Sequence, residues 1–245
     1  MENFKISKWP FFSEDEIDKA KSVLKSGLVN YWTGNETKLF ENEFAQYCNS
    51  SNAIALANGS LALSAAYLSL NLKRGDEIIT TPRTFIASAS SAVLLGLKPI
   101  FADVDINSGL ITPETIEPLI TNRTKAICVV HLGGWPADMP RICDLAKTYK
   151  LKIIEDCSQA HGASIYLEGD KTFKSVGSFG KKDDVITDLN MPKPHGWWAT
   201  RNSDRIAFQM IITMQAGNSI GTRNNLAVII GKTDHGKFAR LKPKA

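Results

Sequence analysis

Lys125–Asp156, KAICVVHLGGWPADMPRICDLAKTYKLKIIED, decides the fold. Lys125–Val130 is a strongly β-forming run, Met139–Tyr149 reads as a helix, and Lys152–Ile154 reads as a second strand ending in Glu155-Asp156. The same alternation extends upstream. Ala53–Ala57 is a short apolar strand, followed by Asn58-Gly59-Ser60 and an Ala/Leu-rich helix to Leu72. Gly75-Asp76 is a turn, Glu77–Thr80 a strand, Ala87–Leu95 a helix, Pro99–Ala102 a strand, and Pro113–Leu119 the start of another helix. Short apolar strands alternating with helices indicate βαβ units, hence an α/β fold with a mostly parallel sheet buried on both faces and flanked by helices.

Two helices precede this core. Ser13-Glu14-Asp15-Glu16 reads as a capping box opening a helix with Ile17, Ala20, Val23 and Leu24 as its apolar stripe and Gly27 as its stop. A second amphipathic helix covers Glu36 to Cys48, with Leu39, Phe40, Phe44 and Tyr47 expected to face inward. After Gly180 the texture changes. Lys181-Lys182-Asp183-Asp184 breaks the apolar pattern, Pro192-Lys193-Pro194 forbids regular helix or central strand, and Ile206–Met214 fits neither period cleanly. The expected organisation is therefore residues 1–180 as one α/β domain and 181–245 as a divergent remainder.

Bulk properties narrow the function classes. With 43% hydrophobic and 22% charged residues over 245 positions, the chain can bury a core. Its apolar runs are too short for a membrane span, and Met1-Glu2-Asn3-Phe4-Lys5 lacks the layout of a signal peptide, so cytoplasmic residence is expected. The formal charge is +4, and the basic close (Lys232, Lys237, Arg240, Lys242, Lys244) carries no interleaved aromatics; it reads as a solvated terminus rather than a nucleic-acid patch. Cys48, Cys128, Cys143 and Cys157 have no CxxC spacing, and Cys128 and Cys143 sit in apolar segments, which favours buried free thiols.

In parallel sheets, ligands gather beyond the carboxyl ends of the strands, which groups Gly59-Ser60, Arg83-Thr84-Phe85, His131 and Asp156 on one rim. Asn58-Gly59-Ser60 stands at a helix N-terminus, where free amides and the dipole suit a phosphate, or where the residues simply cap the helix. Asp156 ends a buried strand, where a carboxylate either pairs with a cation or caps the next turn. Phe85 is either a ring for stacking or a core residue. Gln159 and His161 are either loop polar residues or ligand contacts. His131 reads as a satisfied structural histidine, since no second metal ligand has suitable spacing. Asp103 and Asp105 read as strand-end and turn residues rather than as a metal pair.

The order of these features is more specific than any one of them. Asn30–Gly34 (NYWTG), Ala57–Leu63 (ANGSLAL), Gly75–Ile79 (GDEII), Pro82–Ala89 (PRTFIASA), Phe101–Asp105 (FADVD), His131–Met139 (HLGGWPADM), Ile154–Ala163 (IEDCSQAHGA) and Val176–Gly180 (VGSFG) run collinearly. Together they closely resemble the DegT/StrS-type sugar aminotransferases, from about Trp9 to Gly180. The resemblance implies the large domain of a fold-type-I pyridoxal phosphate enzyme working as a homodimer. Such enzymes move an amino group, usually from glutamate, onto a nucleotide-linked keto-sugar. Carried over by position, Gly59 and Ser60 would hold the phosphate and Phe85 would stack on the ring. Asp156 would pair with the pyridinium nitrogen and keep the ring an electron sink, and Gln159 would face the ring oxygen.

The family pattern then requires a Ser-Phe pair, a Schiff-base lysine and a glycine-rich turn, and none follows Gly180 in that form. Lys193 lies near the expected distance and is the candidate lysine. His195 is the second candidate, because relatives with histidine in that place are dehydratases. Ala199–Asp204 and Asp234–Lys237 resemble the family again, so a frame shift across part of residues 181 to 233 is an open reading. Gly196-Trp197-Trp198 fits it: shifted, its codons can read Met-Val, a pair common after the family's glycine-rich turn. The resemblance implies a further C-terminal small domain, which this sequence is expected to lack. Apolar surface that meets it or the partner subunit would then be uncovered, and the chain is expected to aggregate. A monodisperse preparation by light scattering would contradict that. Two further readings stay beside the aminotransferase: an inactive remnant, and a keto-sugar dehydratase.

Overall fold

The computed structural model describes residues 12–50 and 52–179 and, as backbone, 209–212 and 227–231. Lys193 and His195 lie outside the described residues. The chain divides into two compact units, residues 1–40 and 41–245, with the boundary inside the second helix.

In the first unit, α1 (Glu14–Ser26) starts at the anticipated capping box. The Ser13 hydroxyl accepts from the Glu16 amide at 3.4 Å, and the Glu16 carboxylate accepts from the Ser13 amide at 2.7 Å. Gly27 ends the helix at φ 70°, a left-handed conformation that glycine adopts without steric cost. The stripe on this helix is not covered: none of its residues is buried, and Leu24 is 72% exposed. The capping residues act locally and form the helix whether or not its apolar face meets a partner.

The second helix, α2 (Glu36–Tyr47), corrects the inward set. Leu39 and Tyr47 are exposed, whereas Ala45 and the adjacent Cys48 are buried. The small residues allow close approach of the backbone, and the large rings lie at the margin of the contact.

The second unit is built on one seven-stranded sheet. Its strands are β1 (Asn52–Leu56), β2 (Glu77–Thr80), β3 (Lys98–Phe101), β4 (Thr124–Val130), β5 (Lys152–Asp156), β8 (Gln209–Ile212) and β9 (Ala227–Gly231). Their spatial order is β1-β9-β8-β5-β4-β2-β3. The β2–β3, β2–β4, β4–β5 and β5–β8 pairs are parallel, while β9 runs antiparallel to both neighbours. The Ile206–Met214 run, which matched neither period, contains β8. A strand with neighbours on both sides in a two-faced sheet needs no polar alternation, so its periodicity is silent.

Helices α3 (Gly59–Ser69), α4 (Ala87–Leu94), α5 (Pro113–Ile116) and α6 (Met139–Thr148) flank the sheet. Strand alternation on β4 sorts the core into two layers. Ala126 and Cys128 join Leu63, Tyr67 and Ala92 of α3 and α4. Ile127 and Val129 join Ile116, Met139 and Ile142 of α5 and α6. The first layer is alanine-rich on both sides, which lets α3 and α4 sit close to the strands. All four cysteines are buried and none is in a disulfide, and burial pushes the Cys48 and Cys128 thiols up to about 12.

A hairpin of β6 (Ser164–Leu167) and β7 (Thr172–Ser175) stands apart as a two-stranded antiparallel ribbon. The sequence reading placed no element there. The Glu168-Gly169-Asp170-Lys171 turn between two four-residue stretches was its available signal.

Candidate functional site

The α3 N-terminus is built by Asn58, whose side chain accepts from the Leu61 amide at 2.9 Å. Gly59 and Ser60 occupy the first turn, where amides have no intrahelical acceptor and point out along the positive end of the helix dipole. Asn58 is thus the cap, and Gly59 and Ser60 are left to present their donors.

Helix α4 ties this turn to the end of β5. The Ser91 hydroxyl donates to the Ser60 carbonyl at 3.2 Å. Three residues earlier on the same face, the Ser88 hydroxyl donates to Asp156 Oδ2 at 3.4 Å. Thr84 and Ser88 share a hydroxyl contact at 3.0 Å, and the buried Tyr67 hydroxyl donates to the Ser88 carbonyl at 2.7 Å. Ahead of α4, Phe85 is 52% exposed, so it is a presented ring and not a core residue. Arg83 is turned aside: its guanidinium donates to the Gly109 carbonyl at 2.9 Å.

Of the two sequence readings of Asp156, the structure shows the turn cap, made by one oxygen. Oδ1 caps the next turn, accepting from the Ser158 amide at 3.2 Å and its hydroxyl at 2.7 Å. Oδ2 has, among the described residues, only the long Ser88 contact. Among the described residues no lysine or arginine forms an ion pair with this carboxylate, and the residue is only 3% exposed. Burial holds its pKa above the ordinary carboxylate range, against the opposing pull of the Ser158 hydrogen bonds. A cationic N–H placed at Oδ2 would relieve that cost.

On the other side of the strand end, His131 is fully buried. Its backbone amide donates to the Asp156 carbonyl at 3.0 Å, and its Nδ1 accepts from the Ala137 amide at 3.0 Å. In the neutral ring the proton therefore sits on Nε2, which faces Glu155 Oε2 at 3.3 Å. Glu155 also accepts from the Gly177 amide at 2.6 Å and from the Phe179 amide at 3.0 Å.

The chain fold does bring second and third potential ligands to His131, contrary to the spacing argument. His131, Glu155 and Cys157 place their donor atoms within 4.8 Å of one another. Spacing along the chain fails as a guide here because β4 and β5 are neighbours in the sheet, and Glu155 pairs directly with Val129. The hydrogen bonding nevertheless assigns a structural role. Glu155 is committed to backbone amides, and burial raises the Cys157 thiol well above its usual range.

Gln159 is exposed and oriented by a neighbouring loop. The Gly133 amide donates to its Oε1 at 2.7 Å, which leaves the side-chain NH₂ as a free-facing donor group. Gly133 sits at φ 66°, the left-handed region, and that turn aims its amide at Gln159. His161 instead packs edge-on against Phe44, with centroids 6.0 Å apart. It lines a cavity of about 130 Å³ with Tyr47, Cys48 and Cys157. Asp105 is a turn residue, accepting from the Asn107 and Ser108 amides at 3.1 and 2.8 Å.

Ser60 and Asp156 are thus both tied to α4, whereas Gln159 is held separately by the Gly133 turn and Phe85 lies just ahead of α4. Sequence reading missed Ser88, Gly133 and Glu155. The Thr84–Ser88 spacing at the start of α4 and the carboxylate next to Asp156 were the available signals.

This α/β domain thus carries a helix N-terminus with free amide donors, an exposed aromatic ring and a buried carboxylate with no lysine or arginine partner among the described residues. The sequence from residue 10 to residue 184 matches the DegT/DnrJ/EryC1/StrS aminotransferase family, and the chain belongs to that family. It is 45% identical over 168 residues to the dTDP-3-amino-3,6-dideoxy-alpha-D-galactopyranose transaminase of Aneurinibacillus thermoaerophilus, covering 68% of this chain and 44% of that one. The X-ray structure of an aminotransferase from Psychrobacter cryohalolentis superposes with a TM-score of 0.73 at 38% identity, covering 94% of this chain and 50% of that one. The structure of Bacillus subtilis NtdA with its bound cofactor PMP shares the fold, at a TM-score of 0.67 and 24% identity over 96% of this chain and 47% of that one. The sheet is that of the fold-type-I large domain, as the resemblance implied. The chain spans about half the length of these relatives. Among the described residues, no helix is long and apolar enough to cross a membrane.

Proposed function

We propose that this chain is the pyridoxal phosphate-binding part of a cytoplasmic, homodimeric aminotransferase that moves an amino group from glutamate onto a nucleotide-linked keto-sugar. The observation that carries this reading is Asp156, buried and without a lysine or arginine partner among the described residues, at the carboxyl end of a central strand. The residues fit the cofactor. Gly59 and Ser60 would take its phosphate at the α3 N-terminus. Phe85 would lie against the ring face, and the Gln159 NH₂ would donate to the ring oxygen. Asp156 Oδ2 would hold a proton on the ring nitrogen, while Ser88 and Ser158 keep the carboxylate oriented. When bound, pyridoxal phosphate supplies an electron sink for breaking bonds next to an amine. The nucleotide-linked sugar is supported by the Aneurinibacillus relative, whose product carries a dTDP group.

Lys193 is proposed as the lysine that joins the cofactor, with His195 as the alternative group. Purified chain mixed with pyridoxal phosphate, reduced with borohydride and mapped by peptide mass spectrometry tests the reading. A label fixed on Lys193 is the expected result. Reversible binding without a label would point to the dehydratase, and no binding at all would identify an inactive remnant and overturn the proposal.

A further inference from the structure

Asp156 and Glu155 are adjacent, so strand alternation sends them to opposite faces of the sheet. Asp156 meets Ser88 on the α3/α4 face, whereas Glu155 points toward the layer that contains Val129 and Phe179. A carboxylate buried among apolar groups is costly unless its oxygens are supplied with donors. Glu155 receives three: the Gly177 amide, the Phe179 amide and His131 Nε2.

These contacts reach two chain segments beyond β5. One is the Gly177–Phe179 turn, held directly by two backbone amides. The other runs through His131, whose Nδ1 fixes the Ala137 amide, so both ends of the 131–137 loop are set. That loop contains Gly133, whose amide orients Gln159.

We infer that Glu155 is a positioning residue for the cofactor site. It acts from the back of the sheet, through His131 and the Gly133 turn, to set the direction of the Gln159 side chain. This rests on the pyridoxal phosphate reading above and assigns that reading a residue that never touches the cofactor.

The test is a double-mutant cycle on the affinity of the full chain for pyridoxal phosphate, followed by tryptophan fluorescence. Glu155→Gln puts an amide NH₂ where a backbone amide or Nε2–H needs an acceptor, leaving a buried donor unsatisfied. The expected loss is about tenfold in affinity. Gln159→Ala is expected to cost a similar factor, and the double variant much less than the product of the two, because the first change acts through the second residue. If Glu155→Gln binds within twofold of wild type, or if the two losses simply multiply, the inference is overturned. Should Glu155→Gln fail to fold, His131→Asn decides. It retains an acceptor for the Ala137 amide but withdraws the donor from Glu155, and an unchanged affinity there would equally overturn the inference. A wild-type chain that does not bind would instead overturn the functional reading, and this inference with it.

Discussion

Asp156→Asn is expected to weaken pyridoxal phosphate binding by about thirtyfold or more while leaving the chain folded. The side chains are isosteric, and Asn retains the Oδ1 acceptor for the Ser158 amide and turns an NH₂ toward the Ser88 hydroxyl. What it removes is the negative charge at Oδ2. Truncating one partner of a buried, hydrogen-bonded charge pair costs roughly 2–5 kcal/mol, and each 1.4 kcal/mol is about a tenfold change in affinity.

Stability should move the other way. Folding raises the Asp156 pKa, so the folded chain holds this proton more tightly than the unfolded one. Between the ordinary and the raised value, stability therefore falls as pH rises, and the penalty is complete above the raised value. Asn carries no such charge. The cofactor-free variant should melt no lower than wild type at pH 8, and any advantage should vanish below the ordinary carboxylate range. Unchanged affinity in a cofactor titration would remove Asp156 from the site.

Ile127→Ala should have the largest effect on stability. Ile127 is fully buried at the centre of β4, in register with Ile79 on one side and Ile153 on the other. Truncation deletes buried methyl and methylene groups and leaves a cavity in a layer where α5 and α6 are already packed, at a cost of about 2–5 kcal/mol. For a chain of this size that corresponds to a fall of about 4–20 °C in melting temperature. Leu24→Ala in α1 makes the contrast. It removes a leucine that is 72% exposed, and its effect should stay within about 0.5 kcal/mol. Thermal melts of the two variants side by side separate the cases, and an Ile127→Ala chain melting like wild type would contradict the assigned core.

How much was readable in advance varies from element to element. The Ser13–Glu16 box and the Gly27 stop were legible because capping is local chemistry between residues three or four apart. Strands β2, β4 and β5 were legible because each has a β-branched apolar centre, as a run buried on both faces requires. The inward set of α2 was misread, since a helix with rings on one side and small residues beside them does not reveal which of the two meets the sheet. β8 and the β6–β7 hairpin were missed for want of alternation and of length.

By itself, the sequence determined the order of strands and helices up to β5 and the placement of Gly59, Phe85, Asp156 and Gln159 after strand ends or at helix starts, along with the family pattern those positions follow. These depend on local propensity, periodicity and the order of motifs, all of which are written along the chain. Only the tertiary structure decided that one oxygen of Asp156 is already occupied by Ser158 while the other is nearly bare. The same holds for the gathering of Glu155, His131 and the 177–179 turn into one hydrogen-bonded cluster. Those facts depend on which groups from distant parts of the chain face each other across the sheet, and on the burial that gives each contact its energy. Neither is a property of any segment alone.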